Sequence, residues 1–330
     1  MAEPKSFRPK QFPPPEFMPR RKPIFSRMPP AVFPVLMGLL GLGLALRRGF
    51  DLLGLPSEVA ELVLGAASGL WVFAALAYLS KIARRFGTLA EDLRTLPGRA
   101  GTAAGSLGLL LVASAVVPYS PSLATGLMVA GLVLHGALAL LMLNTFRNGP
   151  PEQREVTPVW HLHFVGFILA SLSAVPLGYV GLATTILWGT MAIAGVIWGI
   201  SLMQLVRRIP PPPLRPLLAV HLAPASLFAT VAALLQLHDI ALFFVVLGGV
   251  ILLALVIGAG WITTSGFSPL WGAFTFPIAA YASALFALDL VATGVMVLIA
   301  ALGIVPPILY RVLAGWAKGD LAAKTNAAQA

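Results

Sequence analysis

The side chains with the clearest potential for site chemistry are the five histidines, two of which are spaced as His161-x-His163. Histidine binds metal ions and haem iron, and it transfers protons near neutral pH. Residues i and i+2 of a helix point in different directions, so His161 and His163 cannot share one metal ion in regular geometry. A haem held by His135 and His221 stays open beside the alternative of satisfied polar residues in a bundle.

Other reaction chemistries find no support in the residue pattern. The chain has no cysteine, which excludes disulfides, thiolate metal sites and cysteine nucleophiles. No Ser/His/Asp arrangement, phosphate-binding loop or pair of carboxylates stands out. The sequence therefore predicts no catalytic residues, no metal site, no cofactor and no enzymatic activity.

One aromatic side chain stands in a stripe of small residues. At helical spacing the stripe consists of Gly272, Phe276, Ala280, Ser283 and Ala287. Pro277 follows the aromatic residue directly and would interrupt the backbone hydrogen bonds of the helix. A phenyl ring that points into a narrow lumen can close it by steric block and dewetting. Phe276 is thus a candidate pore gate, with ordinary packing as the alternative.

Charged side chains are missing from the middle of the apolar segments. Asp239 and Asp289 lie at segment ends, and no Lys, Arg, Asp or Glu is placed near a centre. Ionisable residues within a membrane mark proton relays and coupling-ion sites. Their absence argues against a pump or a strongly proton-coupled carrier. It favours a passive or weakly selective anion path, with histidines or backbone dipoles supplying the polarity.

The elements that must position these residues are membrane helices. Of 330 residues, 58% are hydrophobic and 10% are charged, whereas about a quarter of a soluble domain is charged. Ten segments have the roughly 20 apolar residues that cross a bilayer. They run over 30–47, 59–80, 101–118, 122–143, 158–177, 179–206, 214–236, 239–263, 269–288 and 290–313. The sequence predicts an all-α integral membrane protein with ten transmembrane helices.

The basic residues predict the orientation of these helices. If the ten segments alternate, 20 of the 22 Lys and Arg residues fall on one side, and only Arg47 and Arg48 fall on the other. The positive-inside rule makes the basic side cytoplasmic. We therefore expect a multi-pass protein of a bacterial inner (plasma) membrane with both termini in the cytoplasm. The net charge of +10 then reflects topology and contact with anionic lipid, not nucleic acid.

The tails complete the expected domain organisation. Residues 1–29 carry seven basic residues and many prolines, and they are interpreted as a disordered basic cytoplasmic tail without a cleavable signal peptide. Residues 30–314 form the ten-helix channel or transporter domain, and residues 315–330 form a cytoplasmic C-terminal tail.

The ten segments are of two kinds. Short connections after segments 3, 5, 7 and 9 predict five helical hairpins. The odd segments are rich in small residues and carry prolines such as Pro34, whereas the even segments carry bulkier apolar residues. Broken helices are tolerated where they line a cavity. We expect an inner ring of odd helices around a central pore and an outer ring of even helices. The candidates for the pore lining are Phe33, Phe167, Pro224, Phe228, Gly272, Ala280 and Ser283.

Three local motifs resemble the tellurite-resistance/dicarboxylate transporter family, within the voltage-dependent anion channel superfamily. Residues 28–39 resemble the opening of the family's first helix. Leu222-Ala223-Pro224-Ala225 matches its Leu-Ala-Pro element, and residues 270–277 resemble its Trp-x-x-Tyr/Phe-Thr/Ser-Phe-Pro/Gly element. The motifs fall on odd segments in the family's order. The first motif departs from the family, because Ala31-Val32 stands in place of its glycine and a proline follows Phe33 directly.

The resemblance implies a fold and a mode of action. Relatives include TehA-like bacterial proteins, fungal malate and sulfite transporters, and the slow anion channels of plant guard cells. It implies a homotrimer in which each subunit has its own pore inside five inner helices. It also implies anion permeation gated by a phenylalanine of the ninth helix, which corresponds to Phe276.

Three functions remain open at this point. The first is a gated channel or uniporter for small inorganic or organic anions such as chloride, nitrate or a C4-dicarboxylate, with membrane lipids and further subunits as its other partners. The second is a secondary active carrier that exports dicarboxylate, sulfite or a tellurite-linked species. The third is a membrane protein without transport activity, which binds haem or serves as an enzyme subunit.

Overall fold

A computed structural model describes residues 23–330 of the chain, and this part is helical. In chain order the helices of more than four residues are α1 (Pro30–Leu52), α2 (Glu58–Arg84), α3 (Gly87–Arg94), α4 (Leu96–Val116), α5 (Pro121–Asn148), α6 (His161–Ala174), α7 (Val180–Arg207), α8 (Pro212–Leu234), α9 (His238–Ile257), α10 (Pro269–Ala287), α11 (Val291–Ala317) and α12 (Asp320–Lys324). Within the described residues, nine of these are long and apolar enough to cross a membrane. The prediction of an all-helical integral membrane protein is confirmed. The segment predicted at 158–177 is the shorter helix α6.

Several helices extend beyond their predicted ends. Helix α1 continues to Leu52 and includes Arg47 and Arg48, which were expected in a connection. Helix α2 includes Lys81, and α4 begins early enough to include Arg99. The apolar windows underestimated these helices because Lys and Arg are good helix formers. The side-chain oxygen of Thr95 accepts a hydrogen bond from the Gly98 amide and so caps the start of α4.

The segments predicted as tails are only partly described. Residues 1–22 lie outside the described residues. Of the next seven residues, Ser26, Met28 and Pro29 are buried against the helices, and Met28 is only 1% exposed. At the other end α11 continues to Ala317, and Leu321 of α12 is buried. The amide of Ala328 donates a hydrogen bond to Asp92 Oδ1 at 2.8 Å, which fixes the C-terminal segment against α3.

The long helices differ sharply in burial. In α1, α4, α8 and α10, between 67% and 83% of the residues in the apolar stretch of 18 residues are buried. The corresponding share is 22% to 33% in α2, α5, α7, α9 and α11. Most of α6 is buried as well. The second set carries many exposed large apolar side chains, including Leu62, Val133, Leu140, Val196 and Leu253. Such a surface suits the hydrocarbon core of a bilayer.

The five buried helices contact one another in a closed series. Helix α1 contacts α4, α4 contacts α6, α6 contacts α8, α8 contacts α10, and α10 contacts α1. Each of them also contacts the long helix that follows it in the chain. The candidate functional site lies in the interior of this series.

Candidate functional site

Three cavities follow one another along the interior of the closed series. The wide cavity holds about 500 Å³ and lies at the end where α1 terminates. The middle cavity holds about 20 Å³, and the end cavity, at the start of α1, holds about 30 Å³. Residues of all five buried helices line each cavity. Phe276 and Leu227 line both the wide and the middle cavity, and Leu162 and Val220 line both the middle and the end cavity.

Phe276 occupies the boundary between the wide and the middle cavity, and it is 5% exposed. Two glycines of α1 allow α10 to approach closely enough for this placement. A β-carbon on Gly38 would lie 2.2 Å from Thr275 Oγ1, and one on Gly41 would lie 2.8 Å from Phe276 Cδ2. Thr275 Oγ1 donates a hydrogen bond to the carbonyl oxygen of Gly272 at 2.8 Å, and it also lies 3.2 Å from that of Pro34. The ring is therefore held against α1.

Prolines set the local backbone of three of the buried helices. Helices α1, α8 and α10 each begin as 3₁₀-helix and then become α-helical, at Phe33, Leu222 and Thr275 respectively. Pro34, Pro224 and Pro277 fall in the first turn after this change. Proline has no N–H to donate to the residue four positions before it, and a 3₁₀ turn uses the shorter i to i+3 bond instead. Pro34 lines the end cavity and Pro224 lines the middle cavity, whereas Pro277 lines none of the three, so the breaks in α1 and α8 lie at the cavities.

Helix α6 is irregular up to Ala170, before a regular α-helical turn at Ser171–Ala174, and it brings histidines into the interior. It has a π-helical turn at His161–Val165 and 3₁₀ geometry at Gly166–Ala170. His161 lines the middle cavity, and its Nε2 lies 3.0 Å from Nδ1 of His221 on α8. His135 Nδ1 lies 2.8 Å from Ser106 Oγ. The two histidines considered as haem ligands thus have different hydrogen-bond partners.

The wide cavity carries the charged groups of the site. Arg47 and Arg48 lie on its wall with Asp51 and Glu61. Arg47 forms a two-pronged ion pair with Glu61, with both N–O distances at 2.5 Å. Arg48 donates to the carbonyl oxygen of Ser283 at 3.2 Å and has no carboxylate oxygen within 4 Å among the described residues. Among the described residues, Arg48 and Asp51 are therefore the two charged groups of this cavity that are in no ion pair, and Arg48 is the cation of the two.

The model of one protein family, described as voltage-dependent anion channel, matches residues 27–315. The chain belongs to this family. A comparison with curated proteins gives no match. The match covers all five buried helices and agrees with the resemblance that the sequence motifs carry. The chain is therefore a multi-pass membrane protein. The members of its family are anion transporters or channels rather than enzymes.

In this anion channel family member, four of the residues selected from the sequence meet at the cavities. Phe276 and Pro224 line the middle cavity, and Phe276, Ala280 and Ser283 line the wide cavity. They lie together because α10 presents its small-residue stripe to the interior and α8 presents its proline.

Four other selected residues lie away from the three cavities. The ring of Phe33 packs edge-on against Tyr78 of α2 at 5.9 Å, and that of Phe167 packs against His135 of α5 at 4.6 Å. Phe228 is fully buried against Phe244 of α9. These rings fill the space between buried and outer helices, which sequence could not separate from the inner face. The fourth residue, Gly272, packs against Pro34 of α1.

Sequence reasoning missed two residues at the cavities. Arg48 was treated only as an exception to the charge alternation, although that exception was itself a signal. His161 was considered as a metal ligand, and the histidines were considered together as a source of polarity for an anion path, but His161 was not selected as a residue that lines it. Among the described residues, no group of three or more His, Cys, Asp or Glu is placed to hold a metal ion.

Proposed function

We propose that the chain is a gated anion channel or uniporter in which the three cavities form the permeation path and Phe276 closes it. The observation that carries the proposal is the position of Phe276, which lines both the wide cavity and the middle one and shares this boundary with Leu227. A ring in a narrow apolar stretch blocks ions sterically and by excluding water. Rotation of this one side chain would join the two cavities.

The expected topology supplies the direction of the path. Ten spanning helices with both termini in the cytoplasm would form five hairpins, with α1, α4, α6, α8 and α10 inside and the others outside. The charge distribution supports this arrangement. The wide cavity then opens to the outside of a bacterial inner membrane, and the end cavity faces the cytoplasm. The family resemblance supports a homotrimer with one path per subunit.

The charges of the wide cavity support small anions as the transported species. Arg48 would attract an anion toward Phe276, and Arg47 is neutralised by Glu61. Chloride and nitrate are proposed as substrates that fit the narrow middle cavity, with a C4-dicarboxylate or a tellurite-linked anion as larger ones. A fixed positive charge at the mouth of a low-dielectric path raises the local concentration of anions.

The decisive experiment measures anion currents from purified protein in lipid bilayers. Phe276→Ala is expected to raise the chloride or nitrate current by about tenfold or more, since a tenfold change equals ~1.4 kcal/mol of barrier. Phe274→Ala is the matched control, because Phe274 lies two residues away and packs edge-on against Trp271, outside the three cavities. It should leave the current unchanged.

Two outcomes would contradict the proposal. If Phe276→Ala and Phe274→Ala behave alike, Phe276 does not close the path. If the flux saturates and needs a proton gradient, the protein is a secondary active carrier for dicarboxylate, sulfite or a related anion.

A further inference from the structure

We propose that His161 supplies an N–H donor to the permeating anion in the middle cavity, directly beyond Phe276. This inference rests on the proposed function, because it places a binding site within the same path. It assigns the one polar side chain that an anion would meet in the smallest of the three cavities.

The composition of the middle cavity isolates His161. Among the described residues that line it, His161 is the one with a titratable or hydrogen-bonding side chain. The others are aliphatic residues, Met37, Gly166, Pro224 and the ring of Phe276. An anion that enters this cavity loses water of hydration, and apolar side chains form no hydrogen bonds that would replace it.

The hydrogen bonds of His161 leave one ring nitrogen available. The side chain is 2% exposed, and its Nε2 lies 3.0 Å from His221 Nδ1. Its Nδ1 is buried and has no hydrogen-bond partner among the described residues. A neutral imidazole carries its proton on one nitrogen only. If His221 Nδ1–H donates to His161 Nε2, the proton of His161 is therefore on Nδ1.

This tautomer produces a donor suited to an anion. A buried N–H without an acceptor is unfavourable, and an anion next to it would form a charge-assisted hydrogen bond. His221 acts here as a positioning residue, since its own N–H fixes the tautomer of His161. The opposite tautomer would present a lone pair at Nδ1, repel anions, and make the pair only a structural link between α6 and α8.

Relative permeability distinguishes these two roles. Chloride accepts strong hydrogen bonds, whereas thiocyanate is weakly hydrated and crosses apolar stretches more easily. Reversal potentials under bi-ionic chloride and thiocyanate give the permeability ratio, and Phe276→Ala serves as the background so that currents are large. Loss of one hydrogen bond in His161→Leu should shift the ratio toward thiocyanate by about fivefold. His161→Gln keeps an N–H donor and should keep the ratio within about twofold.

His163→Leu is the matched control. His163 lies on the same turn, is 1% exposed and lines none of the three cavities. It should leave the ratio unchanged. Size-exclusion profiles and thermal unfolding verify that each variant is folded, and His161→Phe replaces His161→Leu if the latter does not fold.

The failure of this inference is distinguishable from that of the proposed function. If anion currents persist and the ratio is the same with His161, Leu or Phe at this position, His161 is a structural link and the inference is wrong. If His163→Leu shifts the ratio as much as His161→Leu, the effect is not local and the inference is also wrong. If folded protein passes no anions with either Phe or Ala at position 276, both proposals fail together.

Discussion

Gly41 of α1 lies against the ring of Phe276, such that a β-carbon on Gly41 would come within 2.8 Å of ring atom Cδ2. Gly41→Ala must therefore displace the ring away from α1, toward the interior of the path. We expect the variant to lower the basal anion current severalfold, since a displaced ring fills more of the boundary between the wide and middle cavities. Currents across planar bilayers check this prediction.

A double-variant comparison shows whether the effect of Gly41→Ala acts through the ring. In the Phe276→Ala background the methyl group has no ring to displace, so Gly41→Ala should change the current little. Gly69→Ala is the control, because a β-carbon at Gly69 of α2 meets no atom within 4 Å. An equal loss of current with Phe or Ala at position 276 would contradict the interpretation.

The cation of Arg48 should control the entry of anions from the wide cavity. Arg48→Gln is expected to reduce the current at 10 mM salt by roughly threefold to fivefold, since a unit charge about 4 Å away contributes ~1 kcal/mol in water. The loss should disappear near 1 M salt, where the Debye length falls to about 3 Å. Single-channel or flux measurements over this range of ionic strength test the prediction.

Neighbouring charges of the same cavity provide the controls for Arg48. Asp51→Asn should have the opposite effect and raise the current at low salt, because Asp51 is an anion on the same wall. Arg47→Gln also leaves Glu61 without its ion pair, and it should affect folding as well as current. A salt-independent loss in Arg48→Gln would indicate damaged packing, not a lost electrostatic attraction.

Periodicity and charge predicted the helices better than their ends. Nine of the ten apolar segments coincide with the nine helices that are long and apolar enough to cross a membrane within the described residues, and the tenth coincides with α6. The prediction misplaced Arg47 and Lys81, because hydropathy windows exclude charged residues that the structure keeps within helices. Lys81 is tolerated in α2 because Asp92 pairs with it. That pairing depends on the fold of α3, which the pattern did not reveal.

The site was predictable where composition distinguishes one helix face from another. The small-residue stripe of α10 led to Phe276, Ala280 and Ser283 because bulky residues are absent from that face. No such contrast exists on α1 or α8, so Phe33 and Phe228 could not be assigned to the packed side. The proposed role of His161 depends on the irregular geometry of α6, which the helical period of 3.6 residues does not describe.

The buried ion pair between Lys81 and Asp92 lies at the end of the domain that is predicted to face the cytoplasm. It should contribute strongly to the free energy of unfolding. The Lys81 Nζ to Asp92 Oδ2 distance is 2.7 Å, and both side chains are 0% exposed. Tyr78 and the Ala328 amide also donate to Asp92, and Lys81 donates to the carbonyl oxygen of Met28. Asp92→Asn leaves the ammonium group of Lys81 without its counter-charge. The expected loss is about 3–5 kcal/mol in the free energy of unfolding.

Thermal unfolding in detergent, followed by tryptophan fluorescence, measures this loss. Glu91→Gln is the control, because Glu91 is the residue next to Asp92 and its ion pair with Arg85 is exposed on both sides. Arg85 lowers the pKa of Glu91, yet solvent screening should leave the melting temperature nearly unchanged. The double variant Lys81→Met/Asp92→Leu should recover part of the loss, since it leaves no unpaired charge. If the Asp92→Asn and Glu91→Gln variants have the same melting temperature, the prediction is wrong. In that case Lys81 becomes neutral or its ammonium group reaches water when Asp92 is replaced.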